Sequence, residues 1–227
     1  MKVTTNNVPV ALDRASKEYP GGVTALHDVS FTVAPGELLG LLGPSGCGKS
    51  TVLNLIGCID LPTAGHVLIA GSDTALLKDD DLTRLRRDRV GTVFQFFNLL
   101  PTLTLAENVG LPLSLQRVAR SEIERRVKAV METVGLSDRL AAYPAQVSGG
   151  QLQRAAIARA IIHEPAIVLA DEPTGNLDSK NGENVLKILR ALSDAGQTIV
   201  MATHSLEAAN ICDRRIHLLD GVISGQT

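Results

Sequence analysis

The sequence predicts an α/β fold, in which a mostly parallel sheet is interrupted by an inserted helical segment. Three uninterrupted apolar runs predict buried parallel strands, because a half-exposed strand would alternate with polar residues. These runs are Leu38–Leu42, Ile167–Ala170 and Thr198–Ala202. The stretch 95–165 has helical patterning and loops but no convincing strand. We therefore expect one domain in which 1–94 and 166–227 form the sheet core and 95–165 form a helical subdomain.

Helices and a terminal hairpin follow from local patterns. The segment from Ser179 to Ala195 carries apolar residues on one face and ends before a glycine, and Arg120 to Thr133 carries an apolar stripe below a charged face. Near the end of the chain, Asp220 and Gly221 separate two short apolar runs, which is typical of a tight hairpin turn.

Polar residues follow each of the three buried runs. In open α/β sheets the functional site lies beyond the carboxyl ends of the strands. The runs are followed by a glycine loop, by Asp171 and Glu172, and by Thr203 and His204. Three separate strands are therefore expected to deliver side chains to one edge of the sheet.

The glycine loop has the pattern of a phosphate-binding P-loop. The letters GPSGCGKS fit G-x-x-x-x-G-K-[ST] between a strand and a helix, the context that the motif requires. Glycines let backbone N–H groups converge on phosphate, Lys49 would neutralise the β- and γ-phosphates, and Ser50 would ligate Mg²⁺. A glycine-rich turn without function is the alternative. We expect nucleotide contacts from Gly43, Pro44, Ser45, Gly46, Cys47, Gly48, Lys49, Ser50 and Thr51.

Composition excludes several classes of protein. A net charge of −2 over 227 residues is not that of a dedicated nucleic-acid binder. The three cysteines form no C-x-x-C pair, so they are expected to be reduced thiols in a cytosolic protein. The N-terminus lacks an apolar run, and no run is long enough to cross a bilayer, so we expect no signal peptide and no direct membrane insertion. Cys47 falls at a predicted helix N-terminus, where the helix field favours a reactive thiolate.

The acidic pair after the second run is a candidate catalytic centre. Asp171 occupies the position where a P-loop protein holds Mg²⁺, and Glu172 could orient and deprotonate an attacking water. Two solvated acids at a strand end are the alternative. The presence of the P-loop favours the catalytic interpretation.

A second glycine motif, Ser148-Gly149-Gly150-Gln151, opens a helix that runs to about His163. An ordinary N-terminus capped by Ser148 would explain it. Together with Gln153-Arg154 and Ala156–Ala160, however, it resembles the signature motif of ABC ATPases. The resemblance implies the ABC ATPase fold, with a P-loop NTPase core and an inserted helical subdomain. It also implies a head-to-tail homodimer, in which the signature of one subunit covers the γ-phosphate of the ATP held by the other.

The resemblance covers nearly the whole chain and implies further site residues. Tyr19 matches the aromatic residue that stacks on adenine, and Gln95 matches the residue that contacts the metal and reports to the membrane subunits. Asp178 matches a loop that touches the opposite subunit, and His204 matches the switch histidine at the γ-phosphate. Departures are small: Val147 and Leu152 in the signature, Cys47 in the P-loop and Ser205 after the histidine.

A finer resemblance is to the MacB/LolD group, which includes the cell-division ATPase FtsE. It rests on Phe94–Pro101, Glu107–Val109 and Asp171–Asp178. It implies permease partners of FtsX or MacB type and a peripheral location on the cytoplasmic face of the inner membrane. Two alternatives stay open: an FtsE-like regulator of a cell-wall process, and a soluble non-transport ABC ATPase. Phe96 and Phe97 are either core residues or a socket for a membrane subunit.

Overall fold

The computed structural model describes residues 8–227. The strands are β1 (Val10–Tyr19), β2 (Val23–Val33), β3 (Leu38–Leu42), β4 (Ala64–Ile69), β5 (Ser72–Asp73), β6 (Val90–Val93), β7 (Ile167–Asp171), β8 (Ile199–Thr203), β9 (Arg214–Leu219) and β10 (Val222–Gln226). The helices are α1 (Lys49–Ile56), α2 (Asp79–Arg89), α3 (Leu105–Leu115), α4 (Arg120–Thr133), α5 (Gly149–Ile161), α6 (Ser179–Asp194) and α7 (Leu206–Asn210). Single 3₁₀ turns lie at Thr74–Leu76 and Pro144–Gln146.

The larger sheet has the order β10-β9-β3-β8-β7-β6. Its strands from β9 to β6 are parallel, and β10 pairs with β9 as an antiparallel hairpin across Asp220 and Gly221. The three buried runs predicted from sequence are β3, β8 and β7, and they lie side by side. The prediction of a mostly parallel sheet is confirmed, and so is the convergence of the strand ends on one edge.

A second, antiparallel sheet has the order β2-β1-β4-β5, and the sequence patterns did not predict it. The pairing of β1 with β2 shifts register three times, and Arg14 and Asp28 adopt positive φ angles of 47° and 50°. Each irregularity interrupts the two-residue alternation by which an exposed strand is recognised. The bulges explain why this sheet was missed.

The helices of the segment 95–165 have an apolar core of their own. Residues 95–165 form α3, α4 and α5 and contain no strand. The helix α3 begins with a capping box between Thr104 and Glu107, which satisfies backbone donors at its start. Leu105, Val109 and Met131 are among its fully buried core residues. Two other apolar clusters include side chains of the larger sheet.

Candidate nucleotide-binding and catalytic site

The P-loop joins β3 to α1 in a conformation that requires glycine. Gly48 caps α1 with a φ of 108°, and a side chain there would place Cβ 2.8 Å from the carbonyl oxygen of Ala25. A Cβ on Gly43 would overlap the carbonyl oxygen of Leu218. The first residues of α1 run from Lys49 to Thr51, and the opening N–H groups of a helix have no intrahelical partner. They therefore offer an anion site.

Lys49 is buried against backbone carbonyls alone. Its Nζ donates hydrogen bonds to the carbonyl oxygens of Gly43 at 2.7 Å and Pro44 at 2.9 Å. No carboxylate in residues 8–227 forms an ion pair with it. A buried ammonium without an ion pair is unfavourable, and although Asp171 is near enough to feel its charge, an anion bound in the loop would relieve that cost.

Cys47 lies in the same loop, but its side chain points into the core. It is 3% exposed and belongs to the cluster that contains Leu41 and Val52. A Cβ on Gly43 would come within 2.6 Å of its sulfur. The prediction of a reactive thiolate is therefore wrong, because the thiol is packed away from solvent. Any contact of Cys47 with nucleotide would use its backbone.

Two of the residues implied to hold Mg²⁺, Ser50 and Asp171, meet at the ends of the P-loop and of β7. Ser50 Oγ donates to Asp171 Oδ2 at 3.5 Å, and burial followed by the charge of Glu172 raises the pKa of Asp171. Both effects favour a cation beside this carboxylate. The described residues contain no cluster of three acidic, histidine or cysteine side chains that could bind a metal alone. Hydroxyl and carboxylate donors that leave room for phosphate oxygens suit Mg²⁺, so these residues fit the ion.

Glu172 is held by two side chains from the end of β8. His204 Nδ1 lies 2.7 Å from its Oε1, and Thr203 Oγ1 donates to its Oε2 at 3.3 Å. The Glu172 side chain is 16% exposed, whereas that of His204 is 71% exposed. Glu172 also has a φ of 46°, which is sterically unfavourable for a residue with a side chain. The carboxylate is therefore held in a partly buried position beside a solvent-exposed imidazole.

Gln95 lies against the loop that follows Glu172. Asn176 Nδ2 donates to the carbonyl oxygen of Gln95 at 3.0 Å, and a Cβ on Gly175 would stand 2.9 Å from Gln95 Nε2. In the described residues no side-chain hydrogen bond joins Gln95 to Ser50 or Asp171. The structure thus brings Gln95 to the loop after Glu172, without a hydrogen bond to Ser50 or Asp171 in the described residues.

The signature residues begin α5 as predicted, with Ser148 as its N-cap. Ser148 Oγ accepts from the backbone N–H of Gln151, whose side chain accepts from the Ser148 N–H in return. No hydrogen bond connects residues 148–151 to the P-loop in the part of the chain that the structure describes. The motif that is implied to cover the γ-phosphate thus forms no such link to the phosphate loop of its own subunit.

Asp178 caps α6 within its own subunit. Its carboxylate accepts from the backbone N–H of Asn181 at 2.9 Å and from the Asn181 side chain at 2.6 Å, and these bonds hold its pKa below the ordinary value. It lines a cleft of about 270 Å³ that also includes Glu172 and His204. The cleft opens at the surface, so a group from another molecule can enter it.

Tyr19 ends β1 near the P-loop. It pairs with Val23, two residues before Ala25, whose carbonyl packs on Gly48. Lys17 Nζ lies 5.1 Å from the centre of its ring. The aromatic residue thus lies on the sheet that backs the loop, a position suited to a planar base.

Comparisons with known proteins agree with this geometry. The family model described as "ABC transporter" matches residues 26–175. The chain is 49% identical over 203 residues to an ABC transporter ATP-binding protein of Thermotoga maritima, covering 89% of this chain and 87% of that one. The chain belongs to the ABC transporter family.

Further relatives of this ABC ATPase include a solved dimer. The cassette MJ0796, in a dimeric post-hydrolysis state bound to ADP and Pi, superposes with a TM-score of 0.88 at 43% identity, covering 96% of this chain and 97% of that one. MacB of Burkholderia pseudomallei is 42% identical over 94% of this chain but only 33% of its own length. The resemblance and the ABC ATPase fold are confirmed. The chain is an ATP-binding subunit of an ABC transporter that hydrolyses ATP with Mg²⁺.

The geometry gives contacts to Thr203, which the sequence already placed at this sheet edge, and adds Asn176 and Asn181, which no sequence pattern singled out. Thr203 binds the second oxygen of Glu172, Asn176 holds Gln95 and Asn181 holds Asp178. The polar end of β8 was a signal for Thr203, but the other two are ordinary loop and helix residues in the sequence.

None of the helices in residues 8–227 is both long and apolar enough to cross a membrane.

Proposed function

We propose that this ABC ATPase binds two Mg–ATP between two head-to-tail copies and drives a MacB-type permease from the cytoplasmic face of the inner membrane. The observation that carries the proposal is the gathering of Lys49, Asp171, Glu172 and His204 at one sheet edge, while the signature motif bonds to none of them. A second copy would supply that missing side. The dimeric arrangement of the cassette MJ0796 supports it.

Within one site, each side chain has a defined role. Lys49 and the N–H groups of the P-loop bind the β- and γ-phosphates, and Tyr19 supports the adenine. Ser50 and Asp171, with Gln95, would hold Mg²⁺, which neutralises developing charge on phosphate when bound. Glu172 accepts the proton of the attacking water. Thr203 and His204 hold its carboxylate in place, and the exposed imidazole can turn towards the γ-phosphate.

The partner subunit would complete the site through Ser148–Gln151 and Asp178. Ser148 is exposed, and the backbone N–H groups at the N-terminus of α5 are donors suited to a phosphate. Asp178 lies at the mouth of the cleft beside Glu172 and His204, where a facing copy can contact it. In the proposed dimer each nucleotide is therefore bound by the P-loop of one copy and the signature of the other.

A groove between the sheet core and α3 is the proposed permease site. It has a volume of about 590 Å³ and is lined by Phe94, Leu111, Leu115 and Arg159 among others. Phe96, beside Gln95, is 72% exposed, whereas Phe97 packs its ring near Gly149. Phe96 is thus the phenylalanine that a partner can reach, whereas Phe97 is partly buried beside the start of α5. Apolar walls with arginines suit a short helix that carries apolar and acidic residues.

The dimer proposal is tested with Glu172→Gln. The amide keeps the size of the carboxylate but cannot accept a proton, so hydrolysis should fall by about 10²–10⁴ while ATP still binds. The trapped nucleotide should then hold two copies together, seen by size-exclusion chromatography with light scattering in the presence of Mg–ATP. Lys49→Ala should weaken ATP binding and form no dimer. Hydrolysis at the wild-type rate by a monomeric, ATP-bound Glu172→Gln protein would refute the proposal.

The permease proposal is tested with Phe96→Ala in the reconstituted complex. Loss of an exposed aromatic side chain that anchors a partner costs about 2 kcal/mol or more at a hot spot, so permease stimulation of the ATPase should fall by about tenfold or more. Leu76→Ala is the control, because Leu76 is similarly exposed but lies in the 3₁₀ turn Thr74–Leu76, whereas Phe96 stands in the chain between the groove residues Phe94 and Asn98. Equal stimulation ratios for the two variants would argue against docking at Phe96.

A further inference from the structure

A buried glutamine in the signature helix contacts the backbone on both sides of the catalytic centre. Gln153 is 0% exposed, and its Nε2 donates to the carbonyl oxygens of Pro173 at 2.8 Å and Phe94 at 3.3 Å. Pro173 directly follows Glu172, and Phe94 directly precedes Gln95. We propose that Gln153 is a positioning residue that fixes Glu172, and with it Gln95, relative to the signature helix.

Only one orientation of the amide fits this site. Two carbonyl oxygens face one end of the Gln153 side chain, and an oxygen there would meet two acceptors and no donor. The Nε2 group must therefore face them. Its Oε1 is then buried and accepts no hydrogen bond from the described residues. An apolar side chain would avoid that cost, so the amide is better explained by the two bonds that it makes than by stability.

The same helix holds the Gln95 segment at a second point. Arg159, also from α5, donates to the carbonyl oxygens of Phe97 and Asn98. Both of those residues have positive φ angles, 61° and 50°, as Glu172 does at 46°. Such backbone conformations persist only where the surroundings enforce them. Two side chains of one helix thus hold the backbone on either side of Gln95: Arg159 holds the unfavourable conformation after it, and Gln153 holds Phe94 before it. Of these two side chains, only Gln153 also reaches the backbone beside Glu172.

This arrangement connects the two halves of the proposed dimer. When the N-terminus of α5 engages ATP on the facing copy, any movement of the helix is passed through Gln153 to the backbone of Glu172 and Gln95 in its own subunit. The link uses hydrogen bonds to backbone carbonyls. It therefore needs a donor at position 153, and a side chain of equal size without a donor would fill the space but break the link.

The test compares two glutamines that make the same kind of bonds. Gln153→Met keeps the length and volume but removes both donors. Gln197→Met is the matched control, because Gln197 Nε2 also donates to two carbonyls, those of Pro165 and Thr198, outside the site. Misplacing the general base should lower kcat of Gln153→Met by on the order of tenfold, with KM for ATP within about threefold. Gln197→Met should keep kcat within about twofold at a similar loss of thermal stability.

A double-mutant cycle separates positioning from a general loss of structure. The inference rests on the proposed role of Glu172, so Gln153→Met added to Glu172→Gln should lower the single-turnover rate by less than about threefold. If the double mutant loses a further tenfold in single-turnover rate, or if Gln153→Met and Gln197→Met have equal kcat, only the positioning role of Gln153 is overturned. A wild-type rate in Glu172→Gln itself overturns the proposed function and this inference together. If Gln153→Met does not fold, Gln153→Asn carries the same test, because its shorter amide cannot span both carbonyls.

Discussion

Replacing Gly150 by alanine should destabilise the protein although it improves helix propensity. Gly150 is buried in the first turn of α5, and a Cβ there would overlap Asn181 Oδ1 and stand 2.5 Å from Asn181 Cγ. The Asn181 amide cannot move freely, since its Nδ2 is bonded to Asp178 at 2.6 Å. The substitution must therefore displace Asn181 and break that bond.

The magnitude follows from three terms. Gly→Ala should gain about 0.4–1 kcal/mol by restricting the unfolded chain. Overpacking costs about 1–3 kcal/mol, and loss of a hydrogen bond to a charged group about 1.5–3 kcal/mol. The terms overlap because moving Asn181 relieves part of the clash, so we expect a net destabilisation of about 2 kcal/mol. For a chain of this size that lowers Tm by about 4–8 °C.

The assay is thermal unfolding beside a matched helix glycine. Gly182 lies in the first turns of α6, and a Cβ there would meet only Thr174 at 3.7 Å, an ordinary contact. Gly182→Ala should therefore raise Tm by about 1–4 °C through the same unfolded-state effect. In an Asn181→Gly background the penalty of Gly150→Ala should largely vanish. Equal Tm values for Gly150→Ala and Gly182→Ala would refute the reasoning.

Three other predictions concern the catalytic carboxylate, the thiols and acid stability. Thr203→Val removes one hydrogen bond to Glu172 without changing size, so kcat should fall by about 3–10-fold with KM unchanged; an unaltered kcat would contradict this. Maleimide should modify the three cysteines of the unfolded protein at pH 7 but not those of the native protein, which mass spectrometry can measure. Cys47 is buried, and burial raises the pKa of Cys58 to about 11 and of Cys212 to about 12. Hydrogen bonds from Arg125, and to a lesser extent Arg126, lower the pKa of Glu122 from 4.5 to about 2. The wild type should therefore have a higher Tm than Glu122→Gln. This difference should be full above pH 4.5 and should disappear as the pH falls towards 2. A constant difference across that range would exclude the linkage.

Local sequence signals predicted much of the fold and of the candidate site. Apolar runs marked β3, β7 and β8, and helical periodicity marked α4 with the bounds that the structure has. Glycine spacing located the P-loop, and Ser148 was recognised as a possible N-cap. These features could be read because they depend on neighbouring residues: buried periodicity, positive φ angles and unpaired N–H groups at a helix start.

Long-range packing decided the rest. The antiparallel sheet escaped prediction because bulges at Arg14 and Asp28 interrupt its alternation. The orientation of Cys47 depends on where the core lies beneath the loop. The difference in exposure between Phe96 and Phe97 depends on how closely α5 approaches their loop.

The sequence by itself determined which residue types stand at the ends of which strands, and hence the nucleotide chemistry. Only the tertiary structure decided which side chains hold Glu172 in place. Thr203 and His204 lie more than thirty residues from Glu172, and Gln153 reaches the backbone beside it from another helix. Such contacts leave no local pattern, because their free energy depends on burial and on the packing of elements that are distant in the chain.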